Sequence, residues 1–299
     1  MSTTDDIEDS SAPLIEHLTE LRTRLIRSVL AFVVGMVITF SVGGYILDFL
    51  LVPIENTMRS LGNPDPVMQY TAPQEYFFTL VRISMVGGLA LAFPVIATQL
   101  WRFVAPGLYK SEKNAFLPFL IASPLLFLLG AAFAHYVVVP LAMAFFLGFA
   151  DLPSFVSALM QSGDMDQAVQ DTGIDIVFNG KVNESLDITL KMIVAFGLCF
   201  QLPVLLTLMG KAGLVSSEGL ISVRKYAIVG ILVLAALVTP PDVITQIILF
   251  VVVFGLYEIS IWLVKMVERK REDRLREDGY YDDEDDEDPL MKEFDANDD

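Results

Sequence analysis

Long apolar runs alternate along this chain with short charged segments, and the runs set its architecture. Several hold roughly 20 residues with at most one charge, long enough to cross a hydrocarbon core of about 30 Å as helix. Period-two alternation, the mark of a membrane barrel, is not evident. The pattern therefore predicts an all-α membrane protein with six transmembrane helices. The spans are Ser28–Leu47, Phe77–Trp101, one beginning near Ala115, Ile188–Met209, Tyr226–Thr239 and Val243 to about Val264.

The third span is ambiguous from hydropathy alone. Ala115–Ala150 holds no Asp, Glu, Lys or Arg, and as one helix it would be about 54 Å long. Charge parity chooses between one span and two. Cationic residues mark cytoplasmic loops. Arg22, Arg24 and Arg27 precede span one; Arg102, Lys110 and Lys113 follow span two; Lys211, Arg224 and Lys225 follow span four; Lys265, Arg269 and Lys270 follow span six. Six spans place all four sets on one side, with both termini cytoplasmic. The third span then ends near Pro140 and its helix continues outside the membrane.

Two segments fall on the outer side, Ile46–Gln74 and Asp151–Asp187, and are expected to form external cap loops. The latter contains a possible amphipathic stretch, Pro153–Met160. Helices five and six read as short. About 14 apolar residues in one and 15 before Glu258 in the other give about 22 Å each. Such spans imply a locally thinned bilayer. Thr239-Pro240-Pro241-Asp242 between them cannot continue a helix.

Composition agrees with this picture: 54% of the 299 residues are hydrophobic and mean hydropathy is +0.56. The net charge of −17 is concentrated at the ends. Residues 272–299 carry fifteen acids against three bases, and residues 1–12 carry four acids and no base, which leaves about −1 for the body. Such acidic runs bury no apolar surface. The expected organisation is a disordered acidic N-terminus over 1–12, a membrane domain over 13–270 and a disordered acidic cytoplasmic tail over 271–299. No cleavable signal is expected before the first span. Cys199 is the only cysteine, so no intrachain disulfide forms.

Catalytic chemistry finds little footing. His17 and His135 are the only histidines, no cluster has metal-ligand spacing, and no Gly-rich phosphate loop occurs. The chain is read as no enzyme, with no cofactor, no metal and no nucleic-acid partner. Polar residues inside spans draw attention instead. Gln201 lies mid-segment, where an amide meets a partner helix, a cavity, exposed backbone or another part of the same protein. Glu258 is an intramembrane acid suited to pairing or snorkelling. His135 reads as a hydrogen-bonded structural residue.

Two charged segments stand on the cytoplasmic side. Leu14, Leu18, Leu21 and Leu25 recur at helical spacing, so Pro13–Arg24 is expected as a short amphipathic helix at the interface. Glu20 then stands four residues from Arg24, in reach of a local ion pair. In the second segment Ser111 is a candidate N-cap, and Glu112 falls in the first helical turn, where a carboxylate suits the helix dipole. From spacing alone both acids read first as local structure and only second as a docking site for a cation.

The run Pro13-Leu14-Ile15-Glu16-His17-Leu18-Thr19-Glu20-Leu21-Arg22 resembles the N-terminal signature of the TatC family, the receptor subunits of twin-arginine protein translocation. Phe103-Val104-Ala105-Pro106-Gly107-Leu108-Tyr109-Lys110-Ser111-Glu112 is similar to that family's first cytoplasmic loop. Phe196-Gly197 with Phe200-Gln201-Leu202-Pro203 resembles its fourth helix, and Thr239-Pro240-Pro241-Asp242 its last external turn. The resemblance runs in consistent order over about residues 13–270.

The resemblance implies a multi-pass protein of the bacterial cytoplasmic (inner) membrane that exports folded cargo with the protonmotive force. It implies that Glu20 and Glu112 help bind the twin-arginine signal peptide, with Arg22, Phe103 and Pro53 also involved. It implies docking of single-span TatA and TatB subunits at Thr239 and Gln246, in an oligomeric complex within the lipid bilayer. Many relatives carry Glu where this chain has Gln201; the amide needs no proton to sit in lipid and can still attract a partner helix. The rival reading is an ion-coupled solute transporter, which would show repeats and broken helices converging on a midplane site.

Overall fold

The computed structural model describes residues 5–60, 63–104, 113–149, 180–239 and 242–277. Helices dominate it: α1 (Asp5–Ser41), α2 (Gly43–Ser60), α3 (Glu75–Val104), α4 (Lys113–Phe133), α5 (Val139–Phe149), α6 (Val182–Cys199), α7 (Leu202–Lys211), α8 (Ser217–Ser222), α9 (Arg224–Val238) and α10 (Val243–Glu277). Two dipeptide strands, β1 (Met68–Gln69) and β2 (Gly180–Lys181), pair in parallel. Among the described residues, five helical stretches are long and apolar enough to cross a membrane. The fifth candidate of the sequence pattern, α9, has 15 residues, about 22 Å of helix.

The long uncharged segment is one continuous helical rod through its described residues. A π-helical turn, Ala134–Val138, joins α4 to α5 without a break, in keeping with a single third span. His135 lies in that turn. It is buried and stacks on Phe49, ring centroids 4.5 Å apart. Neither ring nitrogen has a hydrogen-bond partner, so the expected hydrogen-bonded role gives way to packing.

Several expectations are corrected in detail. Pro13–Arg24 is not a separate interfacial helix; it runs unbroken into the first span within α1, because no Pro or Gly interrupts residues 14–34. Leu18, Leu25 and Val29 are at least half exposed along it. α1 begins at Asp5, inside the segment expected to be disordered. The outer segment after span one is not a loop but chiefly α2, which buries Leu47, Leu50, Ile54 and Met58. Helix six is not short: α10 continues to Glu277, since charged residues past the apolar stretch remain good helix formers. Asp151–179, with the stretch Pro153–Met160, and the acidic tail from Asp278 lie outside the described residues.

Internal prolines are accommodated by a repeated device. Thr57, Thr98 and Thr207 each stand four residues after a helix proline and donate to the carbonyl of Pro53, Pro94 and Pro203, at 2.8, 2.7 and 2.5 Å. A hydroxyl bonded this way keeps its polarity satisfied inside the helix and favours a bend.

Helix pairs close through glycine. A Cβ on Gly130 would lie 2.5 Å from the Phe196 carbonyl oxygen, and one on Gly197 would lie 2.8 Å from the Phe127 ring, so only glycine permits this α4–α6 crossing. The main core joins α2, the π turn, α6 and α10 through Ile54, Val138, Phe196, Leu249 and Val253. At the opposite end from the basic clusters, β1–β2 pairing and a bond from Arg82 Nη1 to Asn183 Oδ1 (2.9 Å) tie the outer segments together.

Candidate functional site

α1 and α3 run antiparallel, and their contact is more extensive than that of any other helix pair. Thr39 Oγ1 donates to the Ser84 carbonyl at 3.0 Å. Four residues back along α1, a Cβ on Gly35 would lie 2.7 Å from the Gly88 carbonyl oxygen, four residues on along α3. Continued one for one, this register brings Arg24 level with Gln99 and Glu20 level with Phe103. The pairing thus carries one candidate from each charged segment to the same end of the bundle.

At that end Arg24 Nε donates to Glu20 Oε1 at 3.0 Å, and Nη2 converges on the same oxygen. The Arg24 side chain is 17% exposed and that of Glu20 39%. The local ion pair anticipated from the spacing is therefore formed, with the acid at the more open position. Arg22, two residues along α1, is exposed and lies about 200° around the helix from Glu20. Phe103 is half-buried at the end of α3. Glu112 lies outside the described residues, as does the rest of 105–112.

Pro53 is not part of this cluster. It is buried within α2, beyond the far end of α1, and Glu20 to Ser41 alone covers about 32 Å of helix. Thr239 and Gln246 flank the turn between α9 and α10. Thr239 is buried and donates to the Ala235 carbonyl at 2.8 Å. Gln246 is half-buried, with Ile247 beside it 55% exposed. Asp242 starts α10 as its cap, accepting from the Thr245 amide at 2.7 Å; Pro240 and Pro241 lie outside the described residues.

Gln201 stands at the break between α6 and α7, away from that turn. Its Oε1 accepts from Ser123 Oγ and its Nε2 donates to the Ser123 carbonyl, each at 2.8 Å. Of the alternatives open in the sequence, the structure realises the bond to the same protein. Glu258 pairs with Arg224 at the base of α9: Nη2 to Oε2 and Nε to Oε1, both 2.8 Å. Nearby, Tyr257 Oη donates to the Leu220 carbonyl at 2.8 Å, and Glu268 accepts from the Ser217 amide at 2.9 Å and from its hydroxyl. The loop carrying α8 is thereby strapped to α10.

Sequence reasoning missed Ser123 as the mate of Gln201, Arg224 as the mate of Glu258, and Gln99, whose buried Oε1 has no hydrogen-bond partner. Only Gln99 left a sequence signal. It is an isolated amide on the α3 stripe that also carries Ser84, Gly88 and Arg102.

At the outer end a cleft of about 360 Å³ opens beside Glu75, Phe78, Arg82, Lys181, Asn183 and Glu184. Its charges are matched within the wall: Arg82 lies 3.6 Å from Asp187, and Lys181 3.5 Å from Glu184.

The model of the family described as Sec-independent protein translocase protein (TatC) matches residues 16–251. A Sec-independent protein translocase protein TatC of Magnetococcus marinus is 44% identical over 266 residues, 89% of this chain and 88% of that protein. Its counterpart from Aquifex aeolicus is 40% identical over 261 residues, 87% of this chain and 98% of that protein. A crystal structure titled as the twin arginine translocase receptor TatC superposes with a TM-score of 0.68 at 38% identity, covering 84% of this chain and 99% of that one.

Proposed function

This chain belongs to the TatC family of Sec-independent protein translocase proteins, and within it we propose that the chain is the receptor for twin-arginine signal peptides. Glu20 and Glu112 are the proposed guanidinium acceptors. Arg22 and Phe103 flank them, and Pro53 contributes at a distance by shaping α2. The observation that supports this most is the α1–α3 register: continued from Thr39–Ser84 and Gly35–Gly88, it carries Glu20 toward the end of α3 where Phe103 lies, a few residues before Glu112 in the sequence. A carboxylate accepts a guanidinium fork through two parallel bonds, so a pair of acids reads two arginines by geometry as well as by charge.

The proposal places the chain in the bacterial inner membrane with six spans, α9 among them, and with both termini cytoplasmic. Single-span TatA and TatB subunits would dock beside Gln246 and the α9–α10 turn, with Thr239 and Gln201 supporting the local structure. Transport would draw on the protonmotive force. A solute carrier is the weaker reading, because Gln201 and Glu258, deep polar residues that could serve a midplane site, are engaged by Ser123 and Arg224.

Site-specific photocrosslinking from positions 20 and 112 to a precursor bearing Arg-Arg or Lys-Lys tests the reading. Strong contact with Arg-Arg and weak contact with Lys-Lys is expected. Equal contact with both, or none with the protein folded, would overturn it.

A further inference from the structure

The Glu20 carboxylate is already held by an arginine of its own chain. Both Arg24 donors converge on Oε1, so the site contains the chemical group that it is proposed to recognise. The cation is the more covered partner and the acid the more open one, at 17% and 39% exposure. A peptide can therefore approach the carboxylate without passing the guanidinium. The α1–α3 register fixed at Thr39–Ser84 and Gly35–Gly88, continued one for one, reaches Gln99 at the level of Arg24; the Gln99 Oε1 is buried and has no hydrogen-bond partner. A buried acceptor without a donor is costly, and a partly covered guanidinium that has lost its carboxylate needs an acceptor.

We propose that Arg24 is an internal stand-in for a signal-peptide arginine. It holds Glu20 until a peptide guanidinium displaces it, and the Gln99 amide oxygen then receives it. This deepens the receptor reading above and rests on it. The exchange replaces one guanidinium–carboxylate contact with another, so an incoming arginine trades on near-equal terms. An incoming lysine offers a point charge with no planar fork and trades at a loss. The stand-in raises the threshold that any incoming cation must clear by one common factor, and the fork geometry supplies the preference for arginine. It also lowers apparent affinity by the fraction of molecules in which Glu20 is occupied.

The test uses the full chain in lipid nanodiscs and fluorescent Arg-Arg and Lys-Lys signal peptides. Removing the competitor with Arg24→Gln is expected to tighten Arg-Arg binding roughly twofold, the factor that an i,i+4 ion pair is worth. Lys-Lys binding should gain by the same factor, so the preference for Arg-Arg stays unchanged. Gln99→Leu should weaken Arg-Arg binding when Arg24 is present and have no effect in the Arg24→Gln background. Arg24→Lys, which keeps the charge and loses the fork, should fall between wild type and Arg24→Gln; it carries the test if Arg24→Gln does not fold. Unchanged or weaker peptide binding by Arg24→Gln, or an equal Gln99→Leu effect in both backgrounds, overturns the stand-in role. Glu20→Gln separates the two ideas. If it leaves binding untouched, the receptor site itself is misassigned; if it abolishes binding while Arg24→Gln changes nothing, only the stand-in falls.

Discussion

Ser123 and Gln201 exchange two hydrogen bonds across the crossing of α4 and α6, each 2.8 Å long, the amide accepting from the hydroxyl and donating to the backbone carbonyl. The pair sits where α6 breaks into α7, so it closes a polar gap that the helix break opens in an apolar setting. Gln201→Leu should destabilise the protein by about 1–3 kcal/mol through the unpaired Ser123 groups, read as a lower melting temperature in detergent. Gln201→Glu should behave differently. Only a protonated carboxyl donates to the Ser123 carbonyl, so that variant should melt lower in alkaline than in mildly acidic buffer.

The Arg224–Glu258 pair joins α9 to α10 with two contacts of 2.8 Å, and its side chains are 42% and 36% exposed. Solvent screening at that exposure limits its strength. A double-mutant cycle with Arg224→Ala and Glu258→Ala should give a coupling of about 0.5–1 kcal/mol that shrinks as salt is raised.

Two glycine-to-alanine changes should part in sign. Gly130→Ala drives a methyl group against the Phe196 carbonyl and should cost about 1–3 kcal/mol as the helices separate. Gly255→Ala meets nothing within 4 Å inside α10 and should gain up to about 1 kcal/mol from helix propensity. Thermal unfolding of the two variants side by side checks this.

Partner docking at the α9–α10 turn should follow exposure. A photocrosslinker at position 247, where Ile247 is 55% exposed, should capture a single-span subunit. One at position 239 should not, because Thr239 is 6% exposed. Capture from 239 alone would place the docking surface elsewhere.

The length of α9 makes a prediction about the bilayer. Its 15 residues span about 22 Å, short of a core of about 30 Å. Spin labels along Arg224–Val238 in nanodiscs should report both ends at the interface, and so a locally thin membrane. Burial of either end at full hydrocarbon depth would exclude it.

The sequence by itself determined the helical membrane class, the order of the spans and the single third rod. Hydropathy is a sum over consecutive residues, and loop charge needs no knowledge of neighbours in space. It also carried the family motifs and the i,i+4 reach of Glu20 to Arg24, both local in the chain. It read α2 as part of a cap loop because proline and glycine punctuate 46–74; the cost of Pro53 is softened by a threonine four residues on and by an apolar face that finds a core. Tertiary structure alone decided what the isolated polar residues do. Gln201 meets Ser123 across 78 positions and Glu258 meets Arg224 across 34, separations that no periodicity reports. Likewise, only packing paired Thr39 with Ser84 and Gly35 with Gly88, the register that carries Glu20 toward the end of α3 where Phe103 lies. Polar groups in a low-dielectric interior must find partners wherever packing puts them, and packing is a property of surfaces that the chain brings together only when folded.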